Sequence, residues 1–337
     1  MATPIAADLP IRWAILGAGG IAGKLARDLS ASKSNVLAAV AARSLPKATA
    51  FAAEHGAERA YGDYEQLVSD PDIDVVYIAT THPHHRDQAL MAIAAGKSVL
   101  IEKPVCLNAA DTRQVFQAAA AAGVFAMEAM WMRLNPLIRA ASRFIEDGVI
   151  GEVRSVSAEM ALGLPFDPAH RLYDRANGGG ALLDLGIYPL TFAWIFLGRP
   201  NDLRFTGSVG SSGVDETVAM LCDYDSGATA QLFCSAPVPG PYRGLIQGTE
   251  GWIRTEGRFH RPTGLTVHTR EDELLVTDPL DPDLPGYLPQ IEEVERCLRA
   301  AELSSPLVPP IESIAIMMLI DDIRASLGVS YPGEQSG

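Results

Sequence analysis

The chain has 337 residues, 48% of them apolar and 20% charged, with a formal net charge of −14. That composition predicts a globular protein with two domains of about 130 and 200 residues, and the acidic balance speaks against nucleic acid or an anionic membrane surface as partner. Residues 1–10 lack the basic start and apolar stretch of a signal peptide, and no apolar run is expected to reach a membrane span. Cys106, Cys222, Cys234 and Cys297 are scattered without a C-x-x-C pair, which predicts free thiols in a reducing compartment, the cytoplasm by default.

The first predicted element is a short apolar strand over 12–16, running directly into Gly17-Ala18-Gly19-Gly20-Ile21-Ala22-Gly23 and a helix-compatible stretch through Leu29. This G-x-G-x-x-A spacing suits a dinucleotide pyrophosphate. Gly17 permits the tight turn, Gly19 leaves the backbone open to the anion, Ala22 allows close helix–strand packing, and the amides from Gly20 and Ile21 onward face the charge. A second strand at 36–41 completes a βαβ unit. Where an NAD site would place a carboxylate, about twenty residues beyond the glycines, the chain has Arg43 and Ser44, with Lys47 one turn on. Those groups suit a 2′-phosphate and predict NADP in preference to NAD; the alternative is a solvated Arg43 with Ser44 capping the helix that contains Pro46.

Further strands are predicted near 75–79, 98–101 and 124–127, with a weak helical signal at 64–69 and alanine-rich helices between, an alternation that implies a parallel sheet covered on both faces. Glu102-Lys103-Pro104 stands at the carboxyl end of the strand at 98–101, the edge at which such sheets bind ligands. Lys103 is placed to stabilise a developing alkoxide or phenolate, with Glu102 fixing it or touching the cofactor ribose; the plainer reading is a surface ion pair.

After residue 127 the pattern changes. A helix is expected over 137–146 and a period-two strand over 151–159, then Gly178-Gly179-Gly180-Ala181-Leu182-Leu183-Asp184-Leu185-Gly186-Ile187-Tyr188-Pro189. Asp184 and Tyr188, four residues apart, would share one helix face and address one substrate. A tyrosine, with an ordinary pKa of about 10, is a poor base near pH 7 unless a cation stabilises the phenolate. Pro189 demands either a helix that begins close to Asp184 or a kink. Several β-rich runs between 203 and 276, broken by short turns, predict a largely antiparallel sheet. The proline-rich stretch 278–289 is expected to be a connecting loop before helices at 290–301 and 311–327. The predicted fold is therefore α/β: a doubly wound Rossmann sheet over 1–128, then an α/β domain over 129–337 with a large, mostly antiparallel open sheet, the last helix able to pack back onto the first domain.

Taken together, the glycine loop, Glu102-Lys103-Pro104 and the stretch from Gly179 to Tyr188 resemble the glucose-fructose oxidoreductase / inositol dehydrogenase (Gfo/Idh/MocA) family, most closely its dimeric dihydrodiol dehydrogenases and bacterial sugar dehydrogenases such as those acting on D-xylose. Supporting stretches include His82-Pro83-His84-His85, the run from Met127 to Arg133, and Gly213 to Val218. The family often has histidine where this chain has Tyr188; the tyrosine is shared with the dihydrodiol and sugar dehydrogenase branch. The resemblance implies a cytoplasmic, NADP-dependent oxidoreductase acting on a sugar or cyclic diol hydroxyl, dimeric through its C-terminal sheet. It also implies Lys103 and Tyr188 as the proton-handling pair, Asp184 orienting substrate, Thr80, His82 and His85 beside the nicotinamide, and Trp131 with Arg133 bordering cofactor and substrate. Met160, His260 and the loop around Tyr287 are further candidates for the substrate wall. His82, His84 and His85 fit no standard zinc spacing, and no metal is expected. Two rivals stand beside this reading: an NADPH-dependent reductase of keto-sugars or nucleotide-linked sugars, and a catalytically inactive cofactor-sensing regulator, which would have no need of Lys103 with Tyr188.

Overall fold

A computed structural model describes residues 4–277 and 286–334. The chain forms two compact units, Met1–Leu134 with Leu280–Ile314, and Asn135–Pro279 with Ala315–Gly337. Each has its own sheet.

In the first unit, β1 (Ile11–Leu16), β2 (Asn35–Ala41), β3 (Arg59–Tyr61), β4 (Val75–Ile78), β5 (Ser98–Ile101) and β6 (Ala126–Glu128) lie in the order β3-β2-β1-β4-β5-β6. Every pairing is parallel. Helices α1 (Gly20–Ala31), α2 (Leu45–His55), α3 (Tyr64–Val68), α4 (His85–Ala94) and α5 (Ala109–Ala122) make the crossovers. All four residues of β4 are buried, as a strand covered on both faces requires, which is why it reads as an unbroken apolar run. Strand order reverses at β1, so the loops after β1 and β4 flank the crevice where doubly wound sheets bind ligands. The sequence pattern gave no sign of β3. It has three half-buried residues at the sheet edge, too few and too polar for a periodic signal.

The second unit opens with α6 (Pro136–Glu146), capped by the Asn135 side chain, which accepts from the amides of Leu137 and Ile138. Its eight-stranded sheet is built from β7 (Val153–Ala161), β8 (Asp202–Val209), β9 (Asp215–Asp223), β10 (Thr229–Ser235), β11 (Gly244–Gly248), β12 (Gly251–Arg258), β13 (Arg261–Thr269) and β14 (Glu273–Thr277), in the order β14-β13-β12-β11-β7-β10-β9-β8. Only the β7–β10 pairing is parallel. Alternate residues of β7, β9 and β10 (Val156, Ala158, Val218, Met220, Ala230, Leu232) are buried on one face, the side on which α7 (Ile187–Leu197) packs against β7 and β10.

Residues 181–197 form one helical run whose segment Leu182–Gly186 is a π-helical turn leading into α7. Pro189 is the third residue of α7, in its first turn, as a helix beginning close to Asp184 would place it. The run starts before Asp184, and the amide of Ile187 donates to the carbonyl of Leu182, five residues back, so the regular ladder is already widened before the residue that lacks an amide. One sequence expectation is corrected here: Arg175–Leu197 is long and apolar enough to cross a membrane, but 83% of its apolar window is buried inside the protein. A helix apolar on all sides is what the middle of a core requires.

Of the expected loop over 278–289, residues 278–285 lie outside the described residues. The chain continues with α8 (Leu288–Arg299), grouped with the first unit, where the Asp28 carboxylate on α1 accepts from the amides of Tyr287 and Leu288. The last helix, α9 (Pro310–Leu327), begins in the first unit and ends in the second.

Candidate active site

The loop after β1 is shaped by what approaches it. Gly17 has φ +101°, and a β-carbon there would come within 2.8 Å of the Ala79 carbonyl oxygen at the end of β4. At Gly19 and Gly20 a β-carbon would meet nothing within 4 Å, so the protein leaves open space above the first turn of α1. That turn starts at Gly19 with no side-chain cap and no acidic residue, leaving its amides and positive dipole end for an anion. Ile21 is half-buried and Ala22 fully buried, the latter permitting the close helix–strand approach. These residues fit a dinucleotide pyrophosphate.

Past β2, Arg43, Ser44 and Lys47 are all exposed. Ser44 occupies the N-cap position of α2 but its side chain makes no capping bond, so the purely structural explanation for this hydroxyl is not realised. Arg43 lies close enough to Tyr64 for its charge to act on the phenol.

Around Lys103 the first unit is tightly organised. Glu102 is buried, takes a hydrogen bond from the Tyr77 hydroxyl and accepts the Lys103 backbone amide at 3.2 Å. Lys103 itself is half-buried, and its peptide bond to Pro104 is cis. The His85 ring is fully buried, with Nδ1 2.9 Å from the Pro104 carbonyl and Nε2 3.2 Å from the Thr80 carbonyl. Burial holds this imidazole below the usual histidine pKa. His85 therefore ties the loop after β4 to the loop that carries Lys103. The Thr80 hydroxyl donates to Gln88 Oε1 at 2.6 Å, while His82 is half-buried with its ring 5.7 Å from that of His85.

Glu128, which ends β6 opposite Ile101 of β5, is a site residue the sequence reading did not single out. Burial pushes its carboxyl above the usual range, against the Ser313 hydroxyl bond and the charges of Arg133 and Lys103, which pull it down. Ser313 donates to its Oε2 at 2.6 Å. A carboxylate at the end of a strand otherwise buried throughout was the available signal. Arg133 pairs with Glu312 at 2.6 Å, and the buried Trp131 ring stacks on Tyr287 with centroids 5.1 Å apart.

In the second unit Asp184 lies in the π turn and Tyr188 in the first turn of α7; both are buried. Arg171, exposed on the preceding segment, donates to Asp184 Oδ2 at 2.9 Å and so orients this buried carboxylate. The Tyr188 ring lies 5.2 Å from that of His260, itself 6.0 Å from the ring of Tyr242. Tyr242 has φ +56°, a strained conformation for a residue with a side chain, of the kind that gathers at functional sites. Met160 is buried on β7. A cleft of about 820 Å³ in this unit lies elsewhere, on the open face of the sheet, lined by Phe205, Leu221, Phe233, Leu245 and Arg254 among others and by neither Asp184 nor Tyr188. Among the described residues, no group of three His, Cys, Asp or Glu side chains is arranged to hold a metal.

The profile of the oxidoreductase family with an NAD-binding Rossmann fold matches residues 11–130, and that of the GFO/IDH/MocA C-terminal domain matches 138–254. The chain belongs to the Gfo/Idh/MocA oxidoreductase family. Relatives include the trans-1,2-dihydrobenzene-1,2-diol dehydrogenases of Mus musculus, 36% identical over 97% of this chain and 100% of that one, and of Homo sapiens, 34% identical over the same shares. Among solved structures, KijD10, a 3-ketoreductase from Actinomadura kijaniata in complex with NADP and TDP-benzene, superposes with a TM-score of 0.82 at 26% identity, over 94% of this chain and 97% of that one. The aldose-aldose oxidoreductase from Caulobacter crescentus shares the fold, with a TM-score of 0.85 at 24% identity over 95% and 98%. The chain is thus an oxidoreductase with an NAD(P)-binding Rossmann domain, and the expected Gfo/Idh/MocA fold is the one observed.

Proposed function

We propose that this oxidoreductase uses NADP and oxidises a carbon bearing a hydroxyl on a cyclic diol or sugar, in the manner of the dihydrodiol dehydrogenases it is similar to. Carrying this reading is the pairing of an uncapped glycine-rich helix start with exposed Arg43, Ser44 and Lys47 after β2, where an NAD site would have a carboxylate. The bound nicotinamide supplies the hydride acceptor at C4. Tyr188 takes the hydroxyl proton, and the Lys103 ammonium stabilises the phenolate and the alkoxide that develops. Asp184, oriented by Arg171, accepts a hydrogen bond from a neighbouring hydroxyl and fixes the ring. Glu102 and His85 hold the backbone on either side of Lys103, while Thr80, His82, Trp131 and Arg133 border the nicotinamide. The protein works in the cytoplasm as a homodimer joined through the open face of its eight-stranded sheet.

The likeness to KijD10 favours a second reading, NADPH-dependent reduction of a keto-sugar by the same groups. A screen at 340 nm separates the two: NADP⁺ with cyclic diols, aldoses and inositols in one arm, NADPH with keto-sugars in the other. Turnover in the first arm with NADP⁺ favoured over NAD⁺ supports the proposal. Turnover confined to the second arm overturns it in favour of reduction, and tight NADP binding with no turnover in either arm favours a cofactor sensor.

A further inference from the structure

The segment 178–180 is three consecutive glycines with no side chain to hold itself, yet it precedes the turn that carries Asp184 and, one turn on, Tyr188. Its amides are held locally, Gly179 on the Asp174 carbonyl at 2.9 Å and Gly180 on the Leu172 carbonyl at 2.8 Å, and two distant parts of the second unit grip the chain around it. Asp215, the first residue of β9 and 1% exposed, accepts the Leu182 amide on Oδ2 at 2.5 Å and interacts with the Ala181 amide. Gly180 has φ +125°, and a β-carbon there would stand 2.5 Å from Asp215 Oδ1. From the far end of the chain Tyr331, also buried, donates its hydroxyl to the Gly179 carbonyl at 2.6 Å. Arg324 of α9 covers the Tyr331 ring at 4.6 Å and bonds Glu334, which accepts the Tyr331 amide at 2.8 Å.

We propose that Asp215 and Tyr331 are positioning residues of the active site: together they grip Gly179 to Leu182 and fix the π-helical register that sets the direction of Asp184 relative to Tyr188. A π turn is rarer than an α turn and persists where its surroundings dictate it. Relaxing it to an α turn slips the register by one residue, which rotates Asp184 by about 100° around the helix axis relative to Tyr188. A carboxylate on the amides of 181 and 182 and a phenol on the carbonyl of 179 oppose that slip from the N-terminal end of the turn. Because it gives Asp184 and Tyr188 roles toward substrate, this inference rests on the function proposed above.

The test uses the full-length protein with Tyr331→Phe, Asp215→Ala and the conservative Asp215→Asn, which keeps an acceptor for the Leu182 amide. Hydrogen exchange of the amides over 181–187 is read first, since it requires no substrate. In Tyr331→Phe and Asp215→Ala it speeds up about tenfold or more, and Asp215→Asn restores much of the protection. With a turned-over substrate, kcat falls about tenfold in Tyr331→Phe while KM for NADP holds, and the pH limb belonging to Tyr188 moves by roughly one unit. A merely structural loss would lower the active fraction without moving that limb. Unchanged exchange in Tyr331→Phe overturns the proposal even if Asp215→Ala fails to fold, as does faster exchange with kcat and the limb unmoved. A wild type that turns over no substrate refutes the proposed function instead, leaving the exchange result to decide the grip.

Discussion

Lys103 is the residue on which the proposed chemistry turns, and its surroundings restrict the backbone more than the side chain. His85 reaches the Pro104 carbonyl and Glu102 the Lys103 amide, so Lys103→Met should leave the loop in place. Turnover is expected to fall about 10²- to 10⁴-fold with NADP affinity nearly unchanged, read by steady-state rates beside fluorescence titration of the cofactor. At the other end of the cofactor, Arg43→Ala should weaken NADP binding about tenfold and leave NAD binding alone, since the proposed contact is to the 2′-phosphate only. Equal losses for both cofactors would remove Arg43 from that role. Among the candidate site residues, Gly17, Gly19 and Lys103 could be singled out because backbone sterics or strand-end placement restrict what can stand there, Asp184 and Tyr188 because of their helical spacing and the family resemblance. Glu128 and Arg171 were not, because their partners, Ser313 and Asp184, lie far along the chain or across an irregular segment.

Among the elements, the start of the helical run at 181–197 has a titratable anchor. Burial pushes the Asp215 carboxyl up to about 6 from an ordinary 3.8, against the amides and Arg324 that pull it down. A raised carboxyl pKa means that the folded protein binds the proton more tightly than the unfolded chain. Its contribution therefore lowers stability as pH rises from about 4 to about 6, and stays constant above. At 1.36 kcal/mol per pH unit the ionised form costs roughly 3 kcal/mol. Denaturant unfolding of wild type and Asp215→Asn at pH 4, 5, 6 and 7 checks this: the stability difference should change in the variant's favour up to pH 6 and then level off. A difference that does not vary with pH would contradict it. Elements with strong periodicity (β1, β2, β7, α6, α9) were legible within a residue or two. The three-residue β3 and the π turn were not, the first for lack of apolar pattern, the second because hydrogen-bond register leaves no mark in residue type.

For the whole molecule, the open face of the eight-stranded sheet carries half-buried Leu221, Phe233 and Leu245 between charged Arg204, Glu159 and Arg254. A half-apolar face of this kind, opposite the helix-covered one, suits a second copy of itself. Phe233→Glu should convert a dimer to a monomer in light scattering, with the melting temperature lowered by several degrees at most. A wild type that is monomeric at micromolar concentration would refute the assignment. The two sheet classes were readable from the change from alternating helix and strand to consecutive strands. That α8 returns to the first unit was not, because its docking depends on Asp28, some 260 residues upstream.

The most direct test of the central claim, that Lys103 and Tyr188 handle one proton together, is a double-mutant cycle. kcat/KM is measured for wild type, Lys103→Met, Tyr188→Phe and the double variant on one substrate at saturating NADP⁺. Joint action predicts that the double variant is no slower than the slower single variant. Losses that multiply would show two independent groups and contradict the mechanism.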